Sequence, residues 1–343
     1  MKEYCVGIVG IGAVGTEMLS ILRQREFPIS ELRILARSER DEEIAGESVH
    51  VIAASEDAFK GLDFAFFAGT EGAKGASRQY GWPAVERGAV VIDNGDDFRM
   101  DPRVPLVIPE INSEALKDHH GFIANPNCST IVGLMALAPL HRVAGIRRFV
   151  VSTYQSVSGT GRAAIHELER QVRDYVAAKP LIHEVYPHQI AFNALPHIGS
   201  LKDQLPGYTS EEAKMLFETR KILETEDIKV AATCVRIPVF YAHAEAINVE
   251  LEREVAPVEA RDILAGASGV QVVDDVQANA YPLPLDAAGG DDILVGRIRK
   301  DHSVDNGLAL FAAGDNIRKG AALNAVQIAE KLIEMDLARV PGK

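Results

Sequence analysis

Short apolar segments alternate with segments of helical spacing over the first part of the chain. The run Tyr4–Val9 is almost wholly apolar, as in a strand buried on both faces, and Glu17–Arg23 has apolar residues at helical spacing. Further strand-like runs follow at 32–36, 63–68, 89–93 and 122–124. This β-α-β rhythm predicts an α/β domain with a doubly wound parallel sheet, which binds ligands at the carboxyl ends of its strands.

The pattern changes after Pro139. Long helices are predicted at 163–178 and 210–223, the second one opened by Thr209 or Ser210 with Glu211 and Glu212 in its first turn. Alternating, strand-like runs lie at 147–155, 228–239 and 246–254, and a polar loop is expected at 286–292. This part predicts a mixed sheet with long helices on one face. A long amphipathic helix is predicted at 320–337.

A glycine motif lies between the first predicted strand and helix. The residues Gly10, Gly12 and Gly15, with Ala13 and Val14 between the last two, form a G-x-G-x-x-G pattern. Glycines here permit a tight turn and let a pyrophosphate approach the helix N-terminus, so the motif predicts dinucleotide binding. The alternative is a glycine-rich turn without a ligand.

The end of the second strand is where the ribose of the adenosine would be recognised. Arg37, Ser38 and Arg40 suit the 2′-phosphate of NADP, whereas Glu39 suits the free 2′-hydroxyl of NAD. NADP is the expected cofactor and NAD is not excluded. The alternative interpretation is a solvated, charged turn.

A single cysteine stands at a predicted helix start in the stretch Asn125–Thr130. Asn-Pro-Asn is typical of a turn, and the apolar run 131–138 after Cys128 predicts a helix. Unpaired N–H groups and the helix dipole at this position favour a nucleophilic thiolate. The alternative is a small, buried apolar residue.

Composition limits the function classes. The chain has 343 residues, a length typical of two domains, with 47% hydrophobic and 25% charged residues. A net charge of −13 argues against nucleic acid as a main partner, and no apolar run is long enough for a membrane span. The odd, widely spaced cysteines Cys5, Cys128 and Cys234 fit neither a disulfide framework nor a metal site. With no signal segment before the first strand, we expect a cytoplasmic protein.

Several ordered motifs together resemble the aspartate-semialdehyde dehydrogenases over essentially the full chain. The matching stretches lie at 92–94, 98–102, 107–112, 125–130, 152–161, 232–239, 243–245 and 315–324. The resemblance implies a Rossmann-type, doubly wound domain at 1–127 plus about 316–343, and an α+β catalytic and dimerisation domain with a mixed sheet at 128–315. The last helix would pack on the first domain, and the protein would be a homodimer.

The resemblance also implies a reaction. It is the reversible NADP-dependent reductive dephosphorylation of L-4-aspartyl phosphate to L-aspartate 4-semialdehyde, through a cysteine thioester. The step belongs to lysine, threonine, methionine and diaminopimelate biosynthesis. An acyl phosphate, a thioester and an aldehyde require a nucleophile, a proton-transfer group and two separate oxyanion binders.

The same resemblance implies a role for each matching residue. Cys128 would be the nucleophile, His243 the general acid and base, and Gln155 would orient the cysteine-bound intermediate. Arg236 would bind the substrate carboxylate and Glu211 the amine. Arg99, Asn127 and Lys214 would bind phosphate, while Ser158, Gly159 and Asn316 would bind the cofactor near its nicotinamide. For each residue an ordinary structural role is the alternative: a core histidine, a strand-end glutamine or a solvated charge.

The chain departs from the family pattern in ways that bear on cofactor and phosphate. The family loop reads G-x-T-G-x-V-G, and here it is one residue shorter and lacks the threonine. With Glu39, this change leaves NADP or NAD open. Ala244 replaces the usual serine after the histidine, and Asp96 and Asp97 lie close to Arg99. Two other functions remain: reduction of another acyl phosphate of the N-acetyl-glutamyl type, or nucleotide binding without catalysis.

Overall fold

The computed structural model describes residues 2–69 and 75–342 and divides the chain into two compact units. The first unit comprises Met1–Asn127 with Ala321–Lys343, and the second comprises Cys128–Gly320. The expected boundary at about 316 therefore differs by five residues from the boundary of the structure. Hydrogen bonds explain the difference, because Asp315 accepts from the backbone of Ile317, Arg318 and Gly320 and so keeps this turn in the second unit.

The first unit contains a sheet of seven strands in its described residues, in the order β3-β4-β2-β1-β5-β6-β7. All neighbouring pairs are parallel except β3 with β4. In chain order its elements are β1 Tyr4–Val9, α1 Ala13–Gln24, β2 Ile29–Ala36, β3 Arg40–Ile44, β4 Glu47–Ala53, β5 Phe64–Phe67, α2 Ala76–Glu86, β6 Val90–Asp93, α3 Pro109–Asn112 and β7 Phe122–Ala124.

The second unit contains a mixed sheet of six strands in the described residues, in the order β11-β12-β13-β10-β8-β9. Strand β10 is antiparallel to both β13 and β8, whereas β8 and β9 are parallel. In chain order its elements are α4 Cys128–Ala144, β8 Ile146–Gln155, α5 Arg162–Val176, α6 Ser210–Ile222, β9 Lys229–Arg236, β10 His243–Leu251, α7 Pro257–Ala265, β11 Val270–Val272, α8 Pro284–Ala287, β12 Ile293–Asp301 and β13 Gly307–Gly314.

The C-terminal segment returns to the first unit. A π-helical turn, Arg318–Ala322, leads into α9, Leu323–Glu334. Helix α9 packs against α1, α3 and β6, and Glu330 forms an ion pair at 2.7 Å with Arg25, the C-cap residue of α1. The predicted helix at 320–337 is thus shorter, since its first turn is π-helical and Leu337 lies beyond its end.

The predicted fold class is confirmed, with corrections to single elements. The ribbon β3–β4 was not predicted, and Arg40 begins β3 instead of lying in a turn. Pro139 lies inside α4, which continues to Ala144. The expected loop at 286–292 begins within the short helix α8. No helix in residues 2–69 and 75–342 is long and apolar enough to cross a lipid bilayer.

Candidate active site

The glycine motif of the first unit forms a tight loop between β1 and α1. Gly10 has a φ of +95°, which favours glycine, and its amide donates to Leu35 O at 2.8 Å. A β-carbon on Gly15 would lie 2.0 Å from the carbonyl oxygen of Gly10, so no larger residue fits there. Gly12 is the N-cap of α1 and provides no side-chain hydrogen bond, and a β-carbon on it would meet nothing within 4 Å. The loop is therefore tight at Gly15 and open at Gly12, as a pyrophosphate requires.

The residues expected to recognise the adenosine ribose lie at the carboxyl end of β2. Arg37, Ser38, Glu39 and Arg40 are all exposed. Arg40 donates to Glu42 Oε2 at 2.9 Å and to Ser38 O at 3.0 Å. Glu39 lies 3.4 Å from Nε2 of His50 on β4. The side chains are thus available to a ligand of the first unit, and Glu39 is paired with the β3–β4 ribbon.

A chain of hydrogen-bonded amides, two of them buried, lies at the carboxyl ends of β6 and β7. Asn125 Nδ2 donates to Asn94 Oδ1 at 3.0 Å, and Asn324 Nδ2 donates to Asn125 Oδ1 at 2.7 Å. Arg99, which is buried, donates to Asn94 O at 2.7 Å. Asp97, in turn, pairs with Arg78 at 3.1 Å. These contacts hold the segment that ends in buried Asn127, next to the candidate nucleophile in sequence.

Cys128 is the first residue of α4 and is half-buried. The apolar run after it lies in α4, as the sequence predicted, whereas residues 125–127 form an irregular segment between β7 and α4. The π-helical turn lies against it, since a β-carbon on Gly320 would come within 3.1 Å of Cys128 Cβ. Gly320 therefore permits the close approach of backbone to the thiol-bearing residue.

Gln155 connects three elements of the second unit. It ends β8 and is 1% exposed. Its Nε2 donates to Ser129 Oγ at 2.6 Å and to Glu211 Oε1 at 3.2 Å. Both hydrogens of the amide nitrogen are thereby used, which fixes the side chain. The amide oxygen, Oε1, is the acceptor of this group.

Glu211 and Lys214 lie on the first turn of α6, which begins with a capping box. Thr209 accepts from the amide of Glu212, and the Glu212 carboxylate accepts from the amide of Thr209 at 2.8 Å. Lys214 Nζ lies 3.7 Å from Glu211 Oε2. The cap thus fixes the helix start that carries a carboxylate and an ammonium group side by side.

Arg236 and His243 occupy strand ends on the same edge of the sheet, on either side of β8. Arg236 ends β9 and donates through Nη1 to Ser156 O at 2.6 Å. His243 begins β10 and is 0% exposed. Burial, followed by the nearby positive charge of Arg236, lowers the pKa of His243 to about 3. The imidazole is therefore neutral at physiological pH.

The tautomer of His243 follows from its partner. The backbone amide of Ser156 donates to Nδ1 at 3.1 Å. Because an amide N–H can only donate, Nδ1 carries a lone pair, and the hydrogen of the neutral ring is on Nε2. Nε2 has no hydrogen-bond partner among the described residues. The ring is thus arranged to present an N–H donor.

Asn316 and the loop after β8 form a second polar group beside His243. Asn316 Oδ1 accepts from Ser156 Oγ at 3.0 Å, from Ser158 Oγ at 3.1 Å and from Ala242 N at 3.0 Å. A β-carbon on Gly159 would lie 2.9 Å from Arg236 Nη1 and 3.2 Å from His243 Cε1. Glycine at 159 therefore lets both side chains lie close to the backbone of this loop.

The structure brings eight of the predicted site residues together in the second unit, through the contacts above. These are Gln155, Ser158, Gly159, Glu211, Lys214, Arg236, His243 and Asn316. Sequence reasoning missed Ser129 and Ser156, which hold Gln155 and His243 in place. Both lie inside the motifs that it recognised, and their hydrogen-bonding hydroxyls were the available signal. Cys234 is fully buried, and burial raises its thiol pKa, which suits a packing role.

Comparison with known proteins identifies the family of the chain. The model of the semialdehyde dehydrogenase NAD-binding domain matches residues 5–119, and that of the semialdehyde dehydrogenase dimerisation domain matches residues 137–319. The aspartate-semialdehyde dehydrogenase of Aquifex aeolicus is 50% identical over 343 residues, covering 97% of this chain and 99% of its own. That of Bacillus subtilis is 44% identical over 346 residues, covering 97% and 98%.

Solved structures give the same result. The crystal structure of aspartate semialdehyde dehydrogenase II from Vibrio cholerae superposes with a TM-score of 0.91 at 43% identity, covering 97% of this chain and 99% of that one. A probable aspartate-semialdehyde dehydrogenase from Pseudomonas aeruginosa gives a TM-score of 0.88 at 29% identity, covering 98% and 100%. The chain belongs to the aspartate-semialdehyde dehydrogenase family.

Proposed function

We propose that the chain catalyses the reversible, phosphate-dependent interconversion of L-aspartate 4-semialdehyde and L-4-aspartyl phosphate, as the resemblance implies. The observation that carries the proposal is the row of buried polar side chains at the strand ends of the second unit, Gln155, Arg236 and His243. A related Vibrio cholerae enzyme, 42% identical, has been crystallised as a complex with ASA, which supports this substrate class.

The chemistry begins at Cys128. Its thiolate attacks the acyl carbon of aspartyl phosphate, the C–O bond to phosphate breaks, and a thioester forms. Reduction of the thioester carbon gives a thiohemiacetal, whose C–S bond then breaks to release the aldehyde and restore the thiolate. A bound nicotinamide supplies the hydride in this direction and accepts it in the other.

His243 and Gln155 act on the oxygen of the cysteine-bound intermediate. The Nε2–H of the neutral imidazole is a donor for the carbonyl oxygen as it becomes negative. Gln155 is held by Ser129 and Glu211, so it orients the intermediate from a fixed position. The general acid and base role that the resemblance implies for His243 would require the Nε2 hydrogen to leave the ring; in this tautomer His243 instead stabilises the oxyanion by its hydrogen bond, and the oxyanion collapses directly with cleavage of the C–S bond.

Charged groups hold the rest of the substrate. Arg236 binds the carboxylate of the substrate, and Glu211 binds its ammonium group. Lys214, Arg99 and Asn127 bind the transferred phosphate. Arg236 is buried with Nε unpartnered among the described residues, which suits a side chain that completes its contacts on a ligand.

We propose NADP as the cofactor. The loop from Gly10 to Gly15, with Ala13 and Val14, fits a pyrophosphate because it is open at Gly12. Arg37, Ser38 and Arg40 would contact the 2′-phosphate, and the pairing of Glu39 with His50 supports this preference over NAD. Ser158, Gly159 and Asn316 would contact the nicotinamide end. In this assignment residues 1–127 with the C-terminal segment bind nucleotide, and the remainder carries catalysis and pairing.

A homodimer completes the proposal. One face of the mixed sheet carries the polar row, and the other carries exposed aromatic side chains. Tyr154 is 37% exposed, and its ring centroid lies 6.1 Å from that of Phe311. An apolar, partly open sheet face in the segment that matches a dimerisation domain supports pairing between two copies of the chain.

The test is a steady-state assay of aspartate semialdehyde oxidation, with NADP or NAD and with or without phosphate. We expect turnover that requires phosphate and prefers NADP. The variant C128S should lose at least about a thousandfold in kcat while it retains cofactor binding by fluorescence titration. A folded protein without activity on either nucleotide, or a C128S variant of full activity, would contradict the proposal. Parallel assays with N-acetyl-glutamyl semialdehyde test the alternative substrate. Its neutral amide has no positive charge to pair with Glu211.

A further inference from the structure

Glu245 is a fully buried carboxyl group with no role in the reaction as proposed above. It lies two residues after His243 on β10, so both side chains project from the same face of the sheet. It pairs in register with Thr153 of β8, which in turn pairs with Cys234 of β9. Glu245 thus belongs to a second row, one step deeper than the row of Gln155, Arg236 and His243.

The surroundings of Glu245 offer no counter-charge. Neither carboxyl oxygen has a hydrogen-bond partner among the described residues, and the residue is 0% exposed. A β-carbon on Gly133 of α4 would lie 2.7 Å from Oε2 of Glu245, and Met215 Cε of α6 borders the same space. A carboxylate is strongly disfavoured in such a place, whereas a neutral carboxylic acid is tolerated.

Glu211 carries the negative charge next to it. Glu211 accepts a hydrogen bond from Gln155, and the ammonium group of Lys214 lies 3.7 Å from its Oε2. Burial, and then the charge of Glu211, raise the pKa of Glu245 well above its ordinary value. Two neighbouring carboxyl groups with such different partners divide into an ionised and a protonated one.

The other groups that face Glu245 do not offset the rise in its pKa. Strand β10 contributes His243, which is neutral. Strand β9 contributes Cys234, whose thiol pKa is raised by burial, and it contributes Arg236 in the row nearer the strand ends. Strand β8 contributes Thr153 and Gln155, and β13 contributes Ala312. Helix α4 contributes Gly133 and, one turn earlier, Ser129. Arg236 is directed to Ser156 O.

We propose that Glu245 is a positioning residue for the reaction, which works as an uncharged carboxylic acid beneath Gln155 and His243. It fills the space under α4 without adding negative charge where the carbonyl oxygen becomes an oxyanion. Ionisation of Glu245 at alkaline pH would oppose that oxyanion and lower kcat. The inference rests on the proposed function, because it assigns the oxyanion to the row of Gln155 and His243.

The test compares the parent enzyme with E245Q, which keeps the shape and has no ionisable group. We expect kcat at neutral pH within about threefold of the parent, since a neutral acid is replaced by a neutral amide. The alkaline decline of kcat should move to higher pH. The T153V variant changes the residue that pairs with Glu245 and keeps the carboxyl group. Its kcat should therefore decline at the same alkaline pH as that of the parent. An E245Q profile identical to that of the parent would overturn the proposal.

Infrared spectroscopy tests the protonation state of Glu245 by a readout other than turnover. The parent at neutral pH should show the carbonyl stretch of a protonated carboxylic acid, and the band should disappear over the alkaline range in which kcat falls. Subtraction of the E245Q spectrum assigns it. Absence of the acid band overturns the inference and leaves the dehydrogenase function intact, whereas inactivity of the parent would instead contradict the function.

Discussion

At the scale of single residues, His243 is governed by two constraints that point in the same direction. Complete burial removes water from the ring, and the amide of Ser156 occupies the lone pair of Nδ1. Both favour the neutral imidazole with its hydrogen on Nε2. The residue is therefore better suited to donate a hydrogen bond to a developing oxyanion than to hold a positive charge between turnovers.

The low pKa of His243 predicts how stability depends on pH. Its ordinary value is 6.5, and in the folded protein it is about 3. Below pH 6.5 the unfolded chain binds a proton here that the folded chain does not, so this residue destabilises the fold as pH decreases. From pH 7 to pH 5 the loss should be about 2 kcal/mol, and H243Q should not show it.

Urea unfolding of both proteins at the two pH values measures the difference. Asp93 titrates in the opposite sense, because burial raises its pKa to about 6 and its contribution is lost as pH rises through that value. This contribution is common to the parent and to H243Q and cancels. H302Q, a change at an exposed histidine, is the matched control. Equal pH dependence in the parent and H243Q would show that His243 is not held neutral.

Sequence reasoning identified a site residue where its type is unusual for its position. Arg236, a charged residue in an apolar strand, is the example. It gave Glu245 no role, although the residue ends the matching stretch 243–245, because a glutamate just before the strand predicted at 246–254 looks like a solvent-facing residue. Only the register of β10 with β8 and β13 shows that its face is covered by α4 and α6. Ser129 and Ser156 act by holding other side chains in place. Such a role depends on distances in the folded chain, which a sequence pattern does not contain.

At the scale of elements, the loop between β1 and α1 is one residue shorter than the family pattern and still closes. Gly15 makes this possible, since its α-hydrogen faces the carbonyl of Gly10, where a β-carbon would overlap at 2.0 Å. Gly10 adopts a φ of +95° and completes the turn. The shortened loop thus depends on Gly15 for its backbone geometry and on Gly12 for its open side.

These two glycines predict separable effects of substitution. G15A should destabilise the nucleotide-binding unit by about 1–3 kcal/mol, because the added methyl group forces the loop apart. G12A has no such overlap, so its melting temperature should stay near that of the parent while NADP affinity falls through contact with the pyrophosphate. Thermal unfolding and nucleotide titration measure both quantities. A stable G15A protein of unchanged affinity would contradict the geometry.

Sequence reasoning predicted neither the ribbon β3–β4 nor the strands β11, β12 and β13, and for the ribbon the cause is its position in the sheet. Strand β3, Arg40–Ile44, is mostly charged because it lies at an exposed edge of the sheet, where no apolar face is required. Its pairing with β4 comes from the backbone, which carries no sequence signal. In contrast, strands buried on both faces, such as β1 and β5, were predicted from apolar runs alone.

At the scale of the whole molecule, the mixed sheet has two unlike faces. One carries the rows that contain Gln155 and Glu245 and is covered by α4 and α6. The other carries Tyr154 and Phe311, together with a cavity of about 460 Å³ that Tyr281 and Leu283 also line. Alternation along each strand thus assigns catalysis to one face and leaves an apolar surface on the other.

This surface predicts a homodimer at micromolar concentration by sedimentation velocity. A chain of net charge −13 repels its copy, so apolar contact must outweigh that repulsion. Y154E places a charge on the face and should shift the equilibrium to the monomer. V258E, on α7 beside α4, makes the same change at an equally apolar position that is 63% exposed, and it should leave the dimer intact. If the parent sediments as a monomer, or if both variants dissociate alike, the open face of the sheet is not the contact between the two copies.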